Sequence, residues 1–231
     1  MAVDLFPIVK RDNDRISVYG FVNRHFAHTN PLRHLTVNLI ASTYETTPEN
    51  PIVLFHKRCP HKEVDPDKLD IAGGHVTLND FFFQELDWNG PSLLTQTFEF
   101  VARREAREEI QAQPSVEFRQ EHFHRFEKVA HFQVESKRTN MDGSKTYNYE
   151  YSTVFVVVLN PRERIWFVDD CPRCNTQSPA VPFAYETMLD QFSTNPHMFA
   201  DGSARILKEL VGNPGMRIQL RELLTQAMPR A

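Results

Sequence analysis

The segment from Phe98 to Gln111 carries a helical repeat whose apolar stripe turns acidic. An α-helix advances about 100° per residue. With Glu105 set at zero, Phe98, Val101 and Ala102 fall at about +20°, −40° and +60°, and Glu108 and Glu109 at about −60° and +40°. The three glutamates therefore continue the face that is apolar one turn earlier, while Arg103, Arg107 and Gln111 take the opposite side. Carboxylates normally sit on the wet face of such a helix. Like charges at i,i+3 or i,i+4 cost roughly 0.2–0.5 kcal/mol per pair, and partial burial adds to that. A hard divalent cation is the simplest compensation, because Mg²⁺ or Mn²⁺ takes carboxylate oxygens and keeps waters for a phosphate ligand. The plain alternative is a solvated helix held by an Arg104–Glu108 pair. Gly73-Gly74 upstream and the shared stripe favour the metal.

The rest of the chain supplies a sheet for this helix. His34 to Ala41, Ile52 to Phe55, Arg125 to Ser136, Lys145 to Leu159 and Ile165 to Val168 read as strands, with a hairpin turn at Met141-Asp142-Gly143. Thr95 or Thr97 is placed to N-cap the acidic helix, which runs to about Gln111. Tyr185 to Phe192, Gly202 to Leu210 and Arg217 to Met228 read as further helices. This order predicts an α+β fold, an α/β/α layered arrangement with one mixed β-sheet and the acidic helix packed on it. No repeat or flexible linker divides the 231 residues, so a single domain is expected. A formal charge of −4 gives no electrostatic reason to expect nucleic acid or an anionic membrane as partner. The start Met1–Phe6 lacks the basic and apolar regions of a signal peptide, and the longest apolar run, Val154 to Leu159, is far short of a membrane span.

The residues Arg104-Glu105-Ala106-Arg107-Glu108-Glu109-Ile110-Gln111-Ala112 resemble the second half of the Nudix box, Arg-Glu-apolar-x-Glu-Glu-x-Gly-apolar. Gly73-Gly74-His75-Val76 resembles the glycine pair that opens that box, separated from the helix by an insertion at about residues 77–96. The approach from His56-Lys57-Arg58 to Val76 is similar to that of Nudix members related to isopentenyl-diphosphate isomerase, and Tyr185-Glu186-Thr187-Met188-Leu189 resembles the closing helix. Two positions depart from the family. Gln96 stands where the first box glutamate is expected, and Gln111 where a glycine ends the helix. A C-terminal helical extension at about 202–231 completes the expected domain.

The resemblance implies a Nudix-like hydrolase that cleaves a diphosphate linkage in a nucleoside diphosphate derivative with Mg²⁺ or Mn²⁺. Glu105, Glu108 and Glu109 would be metal ligands, joined by the Gly74 carbonyl and by a carboxylate from a later strand, for which Glu150 is the candidate. Glu105 would also be a candidate base, Glu108 a catalytic partner, and Arg104 would orient a glutamate. Arg58 and His75 would touch phosphate, although a histidine after the glycine pair also packs well beneath a sheet. Two other readings stand beside this one: a Nudix-fold binding module without catalysis, suggested by Gln96, Gln111 and the insertion, and an isomerase-like enzyme, for which no active-site cysteine has a clear match. The aromatic insertion, with Phe81-Phe82-Phe83 and Trp88, could shape a lid, extend the core or pair two copies of the chain.

Three cysteines, an odd number, argue against a disulfide framework and point to a reducing cytoplasm. Cys171-Pro172-Arg173-Cys174 has zinc-knuckle spacing, and Cys59 and His61 could complete a four-ligand set, with ordinary free thiols the plainer reading.

Overall fold

The computed structural model describes the chain except residues 1–3, 13–14, 45–48, 63, 83–92, 114–115, 118–122, 140–142, 160–163, 170, 172, 174–176 and 226–231. In chain order the elements begin with β1 (Leu5–Asp12), β2 (Arg15–Asn23), α1 (Arg24–Thr29), β3 (His34–Tyr44), β4 (Pro51–Lys57), β5 (Leu69–Asp70) and β6 (Ala72–His75). Helices α2 (Leu78–Phe82) and α3 (Leu93–Glu109) follow, then β7 (Ile110–Gln113), β8 (Val116–Glu117), β9 (Phe123–Thr139) and β10 (Lys145–Leu159). The chain continues through β11 (Trp166–Val168), β12 (Gln177–Pro179), β13 (Val181–Ala184), α4 (Tyr185–Thr194), α5 (Asp201–Gly212) and α6 (Pro214–Thr225). The chain is α+β, as the sequence predicts. It divides into two compact units: residues 1–37, 74–103 and 130–153, and residues 38–73, 104–129 and 154–231. Strands β3, β6, β9 and β10 and helix α3 contribute residues to both.

The first unit is built on the antiparallel β1–β2 hairpin, in register from Leu5↔Asn23 to Asp12↔Arg15 with an irregularity at Ile8/Val9. This hairpin is not evident from the sequence. Asn23 caps α1 by accepting from the Phe26 N–H at 2.8 Å, which closes one of the free donors at a helix start. Phe6, Ile8 and Ala27 pack together, with Val22 and Leu32 against them. At α2, the Asp80 carboxylate accepts from both the Thr77 N–H (2.6 Å) and the Thr77 hydroxyl (2.9 Å), a capping arrangement at the start of the inserted segment. Phe83 and Trp88 lie outside the described residues.

In the second unit β4 pairs antiparallel with the end of β3 (Ala41↔Leu54 to Tyr44↔Pro51) and with β13 (Val181↔Phe55 to Ala184↔Ile52). Strand β11 lies between β7 and β12, antiparallel to both. One isolated bridge, Leu69↔Phe199, is parallel. Phe55 meets Phe183 and Phe199 edge-on, and Leu159, Met188, Leu207, Leu210 and Leu220 are fully buried. Val154 to Leu159 is buried at every position, which is why that run reads as continuous rather than alternating.

Several boundaries moved for local reasons. The last helix starts at Pro214, not Arg217, because Asn213 Oδ1 accepts from the N–H groups of Gly215 (3.0 Å) and Met216 (3.2 Å) and proline suits a first helical turn. Its expected end, Met228, is outside the described residues. Helix α3 starts at Leu93, so Gln96 lies inside the helix rather than at the end of an insertion, and Thr95 and Thr97 do not cap it. Strands β9 and β10 pair as expected on either side of the 141–143 turn; Gly143 there has φ +81°, a conformation that favours glycine, and Met141 and Asp142 lie outside the described residues.

Candidate metal centre on the acidic helix

The buried face of α3 comprises Thr97, Phe98, Val101, Ala102, Glu105 and Ala106. Glu105 thus occupies the apolar stripe, with only 7% of its surface exposed. Glu109, one turn on, is half-buried. Glu108 departs from the expectation. Its side chain is 57% exposed and meets Arg104 at 3.1 Å. The same guanidinium nitrogen of Arg104 sits 2.8 Å from Glu105 Oε1, so one arginine holds two of the three carboxylates. A cation so placed satisfies part of the charge that a metal would.

The glycine pair is tied to the helix through its first member. Gly73 N–H donates to Glu109 Oε2 at 2.8 Å. Gly73 has φ +154°, on the positive side that other residues rarely adopt. Substituting Gly73→Ala is therefore expected to cost about 1–2 kcal/mol, read as a lower urea midpoint. Gly74 follows it in β6. Gln111 needs no left-handed cap: α3 ends at Glu109 and passes directly into β7, where Gln111 pairs with Trp166 and its Oε1 accepts from Gln177 Nε2 at 2.9 Å.

Glu150 is buried rather than solvent-facing, and its Oε2 accepts from the hydroxyls of Thr36 and Ser152, each at 3.3 Å. Arg58 pairs with Asp70 and donates to the Val64 carbonyl at 3.0 Å. His75 stacks on Phe6, with ring centroids 4.4 Å apart. Glu150 and His75 belong to the first unit, whereas Arg58 and the three helix glutamates belong to the second. A shallow groove of about 460 Å³ in the second unit is lined by Lys57, Lys68, Phe183, His197 and Met198 among others, and none of the residues predicted from the sequence lines it.

Asp169 is a further candidate that carries no signal in the sequence. This carboxylate is buried, accepts from the N–H groups of Cys59 (2.9 Å) and Cys171 (3.0 Å), and meets Lys62 Nζ at 2.9 Å and His56 Nε2 at 3.3 Å. Burial works to raise its pKa, but Lys62 and the two N–H donors outweigh it and hold the carboxyl below the usual value. Nothing local in the sequence around Asp169 signals this cluster, whose two halves, His56 to Lys62 and Asp169 to Cys171, lie about a hundred residues apart.

The cysteine expectation needs correction. Cys59 is disulfide-bonded and Cys171 is a free, buried thiol; Cys174 lies outside the described residues. An odd count leaves one cysteine over but does not prevent one pair. An oxidised Cys59 offers no thiolate, which removes one ligand from the suggested zinc set, and a disulfide is unusual in a reducing compartment. Among the described residues no helix is long and apolar enough to cross a membrane.

No family model and no curated protein matches the sequence. The structure is similar to that of DR0079 from Deinococcus radiodurans, at 18% identity over 89% of this chain and 98% of that one, with a TM-score of 0.49. It is also similar to a NUDIX hydrolase from Alicyclobacillus acidocaldarius, at 12% identity over 80% and 94% of the two chains, with a TM-score of 0.47. A third likeness is to the NUDIX domain of Shewanella oneidensis NrtR, solved in complex with ADP ribose, at 15% identity over 80% and 87%, with a TM-score of 0.37.

Proposed function

We propose that this chain is a Nudix-type hydrolase that cleaves a diphosphate linkage in a nucleoside diphosphate derivative with Mg²⁺ or Mn²⁺. The observation that carries the reading is a carboxylate, Glu105, buried in the apolar stripe of α3, with Glu109 one turn on tethered to the glycine loop. The donors fit the ion. They are hard oxygens on one helix face, which suit Mg²⁺ or Mn²⁺ and not a soft metal.

Glu105 and Glu109 would hold the metal, with Glu108 as a further donor from the same helix end. When bound, the ion would neutralise phosphate charge and acidify the attacking water. Glu105 holds an acceptor in a dry position and could take the proton of that water. Arg104 keeps Glu105 and Glu108 from swinging away, and the Gly73 N–H fixes one oxygen of Glu109. Arg58, held by Asp70, would supply positive charge to a phosphate.

The test is a screen of ADP-ribose, nucleotide sugars, dinucleoside polyphosphates and oxidised nucleotides with Mg²⁺ or Mn²⁺, scored by release of a nucleoside monophosphate. Cleavage of one class that stops when EDTA is added is the expected result. Failure on every class in both metals sinks the hydrolase reading and leaves the binding module.

A further inference from the structure

We propose that His28, His34 and His75 form a second metal site, suited to a transition-metal ion of the zinc type and separate from the glutamates of α3. One ring nitrogen from each histidine lies within 4.8 Å of the other two. The three come from α1, the start of β3 and the end of β6, all in the first unit.

The hydrogen bonds orient the rings for this role. His28 Nδ1 is 3.1 Å from the Tyr147 carbonyl oxygen, and His34 Nδ1 is 3.1 Å from that of Leu32. A carbonyl oxygen can only accept, so in both rings Nδ1 carries the hydrogen and Nε2 keeps its lone pair. His34 Nε2 is buried and has no hydrogen-bond partner among the described residues. A ring whose far nitrogen is fixed by a backbone carbonyl, leaving the near one as a bare lone pair, is the outer-shell pattern of metal-bound histidine.

Burial favours the neutral form of all three rings, which is the ligand form. Burial is the largest cause in each case; it holds His34 down to about 4 and His75 well below the usual value, and the positive charge of Arg24 acts in the same direction on all three. Arg24 also repels a dication, so binding must come from the three imidazole donors. The rings of His34 and His75 lie 5.2 Å apart and nearly parallel, and His28 stands almost perpendicular to both. Zinc–nitrogen bonds of about 2.1 Å in a tetrahedron set ligand nitrogens roughly 3.4 Å apart, within the span the three rings already define. Imidazoles select Zn²⁺, Ni²⁺, Cu²⁺ or Co²⁺, whereas the oxygen donors on α3 select Mg²⁺ or Mn²⁺. Three protein ligands leave one position for water or an added ligand.

The competing account is a stack of neutral rings, Phe6 on His75 on His34, that serves packing alone. Two variants separate the accounts. His75→Phe keeps an aromatic ring against Phe6 but removes a ligand, and His28→Gln changes a half-buried position. The full-length protein, stripped with EDTA and dialysed, is titrated with Zn²⁺ and Co²⁺. We expect one equivalent of zinc, visible Co²⁺ absorption of a low-symmetry site, and a loss of affinity of about 100-fold or more in each histidine variant. Glu105→Gln combined with Glu109→Gln should leave zinc binding unchanged. Absence of zinc and cobalt binding overturns the proposal, as does zinc that persists in His75→Phe or is lost with the glutamates. Hydrolase activity plays no part in this readout, so its failure and that of the hydrolase reading are distinguishable.

Discussion

Glu109→Gln is expected to lower Mg²⁺-dependent cleavage of a diphosphate substrate by about 10²–10³-fold, the scale of losing one preorganised electrostatic group from an active site. Glutamine keeps an oxygen where Glu109 Oε2 accepts the Gly73 N–H at 2.8 Å, so the loop stays tied to the helix. Only the negative charge is removed. The midpoint of unfolding should therefore move little, within about 0.5 kcal/mol, while kcat/KM falls and the Mg²⁺ concentration for half-activity rises. Glu108→Gln is the internal comparison. That side chain is more than half exposed and already neutralised by Arg104, so its loss should be smaller, about 10-fold or less. Steady-state kinetics across a Mg²⁺ series decides the matter. A Glu109→Gln enzyme as active as the wild type removes the helix glutamates from the mechanism.

The second large effect concerns stability. Asp169→Asn should destabilise the protein by about 3–5 kcal/mol, the usual cost of removing one partner from a buried charge cluster. The carboxylate gathers Lys62, His56 and the N–H groups of Cys59 and Cys171, so the variant removes the negative charge beside a half-buried ammonium and weakens two backbone donors. A urea midpoint equal to that of the wild type would show that the cluster is dispensable.

The same cluster sets a pH dependence whose sign can be worked out. Asp169 is held below its ordinary 3.8 in the folded state, so its contribution is fully present above that value and is lost as pH falls through the folded pKa. His56 is held below 6.5, chiefly by burial and against the pull of Asp169. The unfolded chain therefore takes up a proton at His56 first, and stability is lost as pH drops below 6.5 toward the folded pKa. Both terms favour neutral pH over acid. Asp169→Asn removes the lower step and, by withdrawing the negative charge beside His56, deepens the upper one. Urea unfolding from pH 7 to pH 3 measures both.

How much could be read in advance followed from how local each feature is. The α3 stripe was legible because helical periodicity places Phe98, Val101, Ala102 and Glu105 on one face whatever surrounds them, and these four are buried. The long strands β9 and β10 were legible because their β-rich character runs over more than a dozen residues. The β1–β2 hairpin escaped notice because Pro7 interrupts the first strand and the exposed Val18, Tyr19 and Phe21 blur alternation in the second.

The acidic helix that constrained the fold at the outset shows where the division falls. The sequence by itself determined that Glu105, Glu108 and Glu109 share one face, because a helix is a local object with a set angular step. Only the tertiary structure decided that Glu105 is the buried one, that Glu108 turns out to Arg104, and that Glu109 meets the Gly73 N–H. The same holds for the Asp169 cluster and the three histidines. Each draws on segments tens of residues or more apart in the chain, and only packing, which responds to shape and desolvation rather than to spacing, brings such groups within contact.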